Sequence, residues 1–148
     1  MSPARRPDND AFYILNFCDD LLGTKGSREH TFDWLLGDLS HKTGRRKKLP
    51  VDSFWKSLNL VIEVMESQHY VPTRHFDKPD VLTVSGVHRG VQRRLYDERR
   101  SAQVPLHGLA LVTIPIAEFE VRSPKINRNP EYDIEVVRRI LGEAGFAG

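Results

Sequence analysis

At 148 residues, with 39% hydrophobic and 28% charged side chains, the chain has the composition of one globular domain with a real apolar core and not of a disordered one. No apolar run approaches the roughly 18–20 residues of a membrane span, no apolar stretch follows the basic N-terminal residues as it does in a signal peptide, and a lone Cys18 cannot close an internal disulfide. These exclusions make a cytoplasmic protein without a membrane partner the default expectation.

In chain order, the first nine residues carry Pro3, Pro7 and charges and are expected to fray. Asp8 or Asp10 can cap a helix through Phe12, Ile14, Leu15, Cys18, Leu21 and Leu22 that stops at Gly23. Ser27 opens a second helical pattern through Phe32, Trp34, Leu35 and Leu36 up to Gly37, and the polar stretch 38–48 reads as a loop. The period then changes. Leu49 to Trp55 suits a strand with Pro50 near its start. Lys56-Ser57 makes a turn, and the run from Leu58 to Met65 fits a strand buried on both faces. A long loop follows, broken by Pro72, Pro79 and Gly86, with a short strand at 82–84; loops of that length in small domains are often functional. Gly90 to Val104 is amphipathic, with Val91, Leu95 and Ala102 on one side and Pro105 and Gly108 at its end. Leu109 to Ile114 is a buried strand, and Asn129-Pro130 starts a last helix facing inward through Ile134, Val137, Ile140 and Leu141. This order predicts a single α/β domain over residues 1–148, a small mixed β-sheet flanked by helices, with 117–148 a C-terminal extension that ends in a helix.

The net charge is only +2, but basic residues gather at Arg45-Arg46-Lys47-Lys48 and again between Arg89 and Arg100. Clustered charge can follow a phosphate backbone, whereas dispersed charge mostly serves solubility. Arg89, Arg93 and Arg94 suit bidentate contacts to phosphate oxygens. The plain alternative for each cluster is a solvated face, with Asp97 and Glu98 as partners for Arg89, Arg93 and Arg94.

The informative feature is a carboxylate inside an apolar strand. Glu63 interrupts Leu60-Val61-Ile62-Glu63-Val64, and burying it is costly unless it is paired, hydrogen-bonded or bound to a metal. Asp52 lies eleven residues earlier, so a hairpin can bring the two acids to one side of a sheet. Two converging carboxylates call for a cation, and Mg²⁺ (or Mn²⁺) takes hard oxygen ligands and keeps waters that can be activated. Gln68 and His69 follow at the same strand end, His69 as a general base or acid and Gln68 to orient a water or phosphate. Ordinary partners for Glu63 are Arg93 or Arg99. His30, His75, His88 and His107 lack metal-ligand spacing. Cys18 and the two tryptophans read as core.

Taken in order, Leu49-Pro50-Val51-Asp52, Leu60-Val61-Ile62-Glu63-Val64, Ser67-Gln68-His69-Tyr70, Tyr96-Asp97-Glu98-Arg99-Arg100 and His107-Gly108-Leu109 resemble small bacterial proteins related to the very-short-patch-repair endonuclease, within the PD-(D/E)XK nuclease superfamily. The similarity runs over roughly residues 27 to 116. It implies a restriction-endonuclease-like core and a DNA endonuclease, with Asp52 and Glu63 as metal ligands, Gln68 and His69 in or beside the site, and Glu29 similar to an acidic residue that often completes it. The lysine of that superfamily, two positions after the second carboxylate, is Met65 here, and the "DG" after "EV" is Met65-Glu66. Lysine there helps orient the attacking water or stabilise charge on the phosphate. Either His69 substitutes for it, with Glu66 as an added ligand, or the fold binds nucleic acid or a partner protein without cutting. A domain this small would need a homodimer or a partner to cut both strands.

Overall fold

The computed structural model describes residues 9–65, 89–122 and 125–146; residues 1–8 of the N-terminal stretch expected to fray and the strand expected at 82–84 lie outside them, whereas Asn9 serves as a helix cap. The first helix, α1 (Asp10–Leu22), starts where the Asn9 side chain accepts the Phe12 N–H at 2.7 Å. Asn9, not Asp8 or Asp10, is therefore the cap; Asp10 instead accepts the backbone N–H of Ile126. Gly23, at φ 72°, ends the helix in the left-handed conformation that glycine adopts without cost.

The predicted helix at 27–36 is absent. Ser27–His30 is a strand, β1, and Leu36–Leu39 is a second, β2, which pairs with β3 (Arg46–Lys48) inside the expected loop. Tertiary partners override the helical spacing of Phe32, Leu35 and Leu36. Arg28 reaches Asp19 at 2.6 Å and Ser53 Oγ at 2.8 Å, which holds β1 along the edge of β4 (Val51–Trp55). Leu35 is buried with Leu49, Val51 and Phe54.

β4 turns through Lys56–Leu58 into β5 (Leu60–Met65), and α2 (Arg89–Leu106) leads to β6 (Ala110–Pro115). The main sheet has the order β1-β4-β5-β6, antiparallel except for the β5–β6 pair. A short hairpin, β7 (Val121–Arg122) with β8 (Lys125–Ile126), precedes α3 (Pro130–Glu143). The protein is thus mixed α/β, a small sheet between helices. Leu60, Ile62 and Val64 join α1 and α3 in one core, while Val61 faces the other way with Val104 of α2. α3 turns Val136, Val137 and Leu141 into the core together with Asp133, and Ile134 and Ile140 are only half-buried. Cys18 is buried as expected, and burial pushes its thiol up to about 12.

α2 is not seated by the stripe expected of it, since Val91 and Ala102 are exposed and Pro105 lies within its last turn. Its inward row is Gln92, Tyr96, Arg100 and Val104, four residues apart and so on one helix face. That row is apolar only at the C-terminal end, which leaves a polar wall over the sheet where β5 ends. Among the described residues no helix is long and apolar enough to cross a membrane.

Candidate active site

The β4–β5 ladder pairs Trp55 with Leu60, Phe54 with Val61 and Ser53 with Ile62. One step further the side chains take over from the backbone. The Asp52 N–H donates to Glu63 Oε2 at 2.7 Å, and the Val64 N–H donates to Asp52 Oδ2 at 2.7 Å. Carboxylates accept where carbonyls otherwise would, so both acids are fixed at the point where the strands part. On the other side of β4, Arg28 pairs with Ser53 and His30 with Val51, which sets Glu29 across from Asp52. Glu29 has φ 48°, left-handed and unusual for a residue other than glycine.

These strand ends form one wall of a cleft of about 390 Å³, and α2 forms the other. Glu29, Asp52, Glu63 and Met65 face Arg93, Asp97 and Arg100 across it. Glu63 is only 9% exposed. Burial, and after it the charge of Asp52, push its carboxyl up to about 8, against the pull of the Asp52 N–H and of Arg100. Arg100 is held in place by the Pro50 carbonyl at 2.9 Å and Asp97 Oδ1 at 2.8 Å, with its Nε 3.7 Å from Glu63 Oε1. Among the described residues Arg100 is therefore the cation paired with Glu63, in place of Arg93 or Arg99; Arg99 instead binds the Leu36 carbonyl and Asp38.

The structure brings Asp52, Glu63, Glu29 and Arg93 to one cleft. Arg94 is exposed outside it, and Arg45, Arg46, Lys47 and Lys48 are exposed on the β2–β3 hairpin. Glu66, Gln68 and His69 lie outside the described residues, as does the side chain of Arg89. Gln92, Tyr96, Asp97 and Arg100 line the cleft without having been expected there. Their signal was present in the four-residue spacing 92-96-100 and in Asp97 three residues before Arg100, both of which put polar groups on the inward face of one helix.

Among the described residues no three His, Cys, Asp or Glu side chains converge tightly enough to hold a metal ion by themselves. Two carboxylates beside an open cleft nonetheless fit Mg²⁺, which is commonly bound through one or two carboxylates with waters and substrate phosphate as its other ligands. Burial and then the Asp52 charge raise the Glu63 carboxyl, and a cation between the two acids would offset both. Comparison with family models, curated proteins and solved structures found no match to this chain.

Proposed function

We propose that this protein is a metal-dependent phosphodiesterase that cuts DNA at the cleft between β5 and α2. The observation that carries the reading is the Asp52–Glu63 pair, two acids fixed by each other's strands with Glu63 buried and its carboxyl raised to about 8. Asp52 and Glu63 hold the cation. A cation held by these two carboxylates would supply Lewis-acid chemistry, a polarised phosphoryl oxygen and a more acidic water, and Mg²⁺ or Mn²⁺ would suit it. Arg93, on the facing helix, meets the phosphate and stabilises its extra negative charge as the nucleophile adds. Arg100, on the same facing helix, pairs with Glu63 across the cleft at 3.7 Å. The proton of the attacking water is assigned to His69, with Gln68 to position it, on the sequence resemblance alone.

The test is cleavage of labelled single-stranded, duplex and mismatched DNA with Mg²⁺ or Mn²⁺, comparing wild type with Glu63→Gln and Asp52→Asn. The reading requires metal-dependent cutting that both variants lose while keeping their fold. A second reading, a module that binds nucleic acid or a partner protein without cutting, is favoured by Met65, which puts an uncharged side chain at the cleft where the resembled superfamily has lysine. Binding of DNA with no cutting under either metal supports it.

A further inference from the structure

We infer that the β2–β3 hairpin is a rigid arm that grips duplex DNA through Lys42, Arg45 and Lys47 and presents the backbone to the neighbouring cleft. The inference rests on the nucleic-acid reading above and adds to it the gripping surface and the form of the substrate. Five Lys and Arg and no acidic residue stand between Leu39 and Val51, in a chain whose whole net charge is +2, so the rest of the protein is net acidic. A positive lobe on a molecule otherwise net negative is the distribution that favours a polyanion at one place only.

The five cations are not equivalent. Arg46 donates to the Gly37 carbonyl at 2.7 Å, and Lys48 pairs with Asp33 at 2.7 Å. Both are engaged within the protein. Successive residues on a strand point to opposite faces, so Lys47 projects away from both. Lys42, Arg45 and Lys47 are exposed and make no side-chain hydrogen bond or ion pair among the described residues.

The arm is also preorganised. Its tip closes on itself through Ser40 N–H to the Arg45 carbonyl at 2.9 Å and Gly44 N–H to the Ser40 carbonyl at 2.8 Å. Its base is tied to α2: Asp38 N–H donates to the Tyr96 hydroxyl at 3.0 Å, and Arg99 holds the Leu36 carbonyl at 2.9 Å and Asp38 Oδ1 at 2.8 Å. Gly37 lets the two approach, since a Cβ there would lie 2.9 Å from the Tyr96 hydroxyl oxygen. Tyr96 also lines the cleft, so arm and cleft share a wall. A two-stranded ribbon is of a width that the major groove admits, and its flanking cations then reach phosphates on either side.

The experiment measures binding of a short fluorescein-labelled duplex by anisotropy in EDTA across a salt series. It compares wild type, Lys42→Gln/Arg45→Gln/Lys47→Gln, and a control of equal charge change, Lys25→Gln/Lys56→Gln/Lys125→Gln, whose three sites are exposed elsewhere. The arm variant is expected to lose on the order of tenfold in affinity at low salt and to flatten the log–log salt slope by roughly 0.9 for each phosphate it no longer neutralises. The control is expected to stay close to wild type. Equal losses in both variants, wild-type binding that favours single strands, or no duplex binding by wild type would each overturn the inference. Asp52→Asn separates this from the phosphodiesterase reading, because it keeps duplex binding and loses only cutting.

Discussion

Asp52 and Glu63 are bound to each other's strands crosswise: the Asp52 N–H meets Glu63 Oε2, and the N–H beside Glu63, that of Val64, meets Asp52 Oδ2, each at 2.7 Å. Each acid thus replaces a rung of the ladder at the place where the ladder ends. The arrangement fixes both side chains without a salt bridge between them. Its cost is electrostatic, because Glu63 is nearly buried and the Asp52 charge lies beside it.

That cost sets a pH dependence in the metal-free protein. The Glu63 carboxyl rises from an ordinary 4.5 to about 8 on folding. A group whose folded value lies above its unfolded one adds stability that is fully present below the unfolded value and is lost as pH rises through the folded value. The melting temperature in EDTA should therefore fall between about pH 4.5 and pH 8. Glu63→Gln should flatten this fall, and Mn²⁺ should restore wild-type stability at pH 8 but add little at pH 5. An EDTA profile that is the same for wild type and Glu63→Gln would show that Glu63 titrates normally and is not part of a strained acid pair.

Arg100 joins three groups at the cleft, the Pro50 carbonyl, Asp97 and Glu63. Lysine carries the charge but not the fork that serves two acceptors at once. Arg100→Lys should destabilise the fold by about 1–3 kcal/mol, the range for removing a partner from a mostly buried polar group. The loss should grow from pH 5 to pH 9 as Glu63 ionises. Urea denaturation at both pH values checks this, and a loss independent of pH would separate Arg100 from Glu63.

The strand acids were legible in the sequence because a carboxylate among β-branched residues has few cheap explanations. β5 and β6 were legible for the same physical reason, as near-continuous apolar runs with turn residues at their ends. The segment 27–48 was not. Its strands are short and half-exposed, and what makes them strands is contact with residues far along the chain: Arg28 with Ser53, Leu35 with Leu49, Asp38 with Tyr96. The polar wall of α2 was hidden differently. An amphipathic reading assigns charged residues to solvent, and here Asp97 and Arg100 turn inward because the strand ends beneath them carry Asp52 and Glu63.

Gly26 is a second place where close approach decides the residue. A Cβ there would lie 2.5 Å from Trp55 Cε2 and 2.6 Å from Ser53 Oγ. Trp55 is almost fully buried and its one indole N–H is shared between Asp19 at 3.1 Å and the Thr24 carbonyl at 3.0 Å, which leaves it little room to step aside. Gly26→Ala should cost about 1–3 kcal/mol as overpacking, whereas Gly142→Ala, with open space around it, should leave stability unchanged or raise it by removing a helical glycine. Thermal melts of the two variants compare them directly, and equal melting temperatures would refute the packing account.

Asp133, which does not line the cleft, is fully buried in α3 and depends on two donors, the Tyr13 hydroxyl from α1 and the Asn129 N–H, both to Oδ2, while Oδ1 has no partner among the described residues. Arg128, lying 4.4 Å over the Tyr13 ring, is tied to Asp10 rather than to Asp133. Tyr13 is thus the one side chain that bonds this acid across the α1–α3 contact among the described residues. Burial, and then this bond, raise the proton affinity of the Tyr13 hydroxyl. Tyr13→Phe should destabilise by about 1–3 kcal/mol, because it removes a donor from a buried acid without creating much of a cavity. Adding Asp133→Asn to Tyr13→Phe should recover part of that loss, since the amide has no charge to satisfy. A double-mutant cycle read by chemical denaturation measures the coupling, and additive losses would mean that the hydroxyl and the acid act independently.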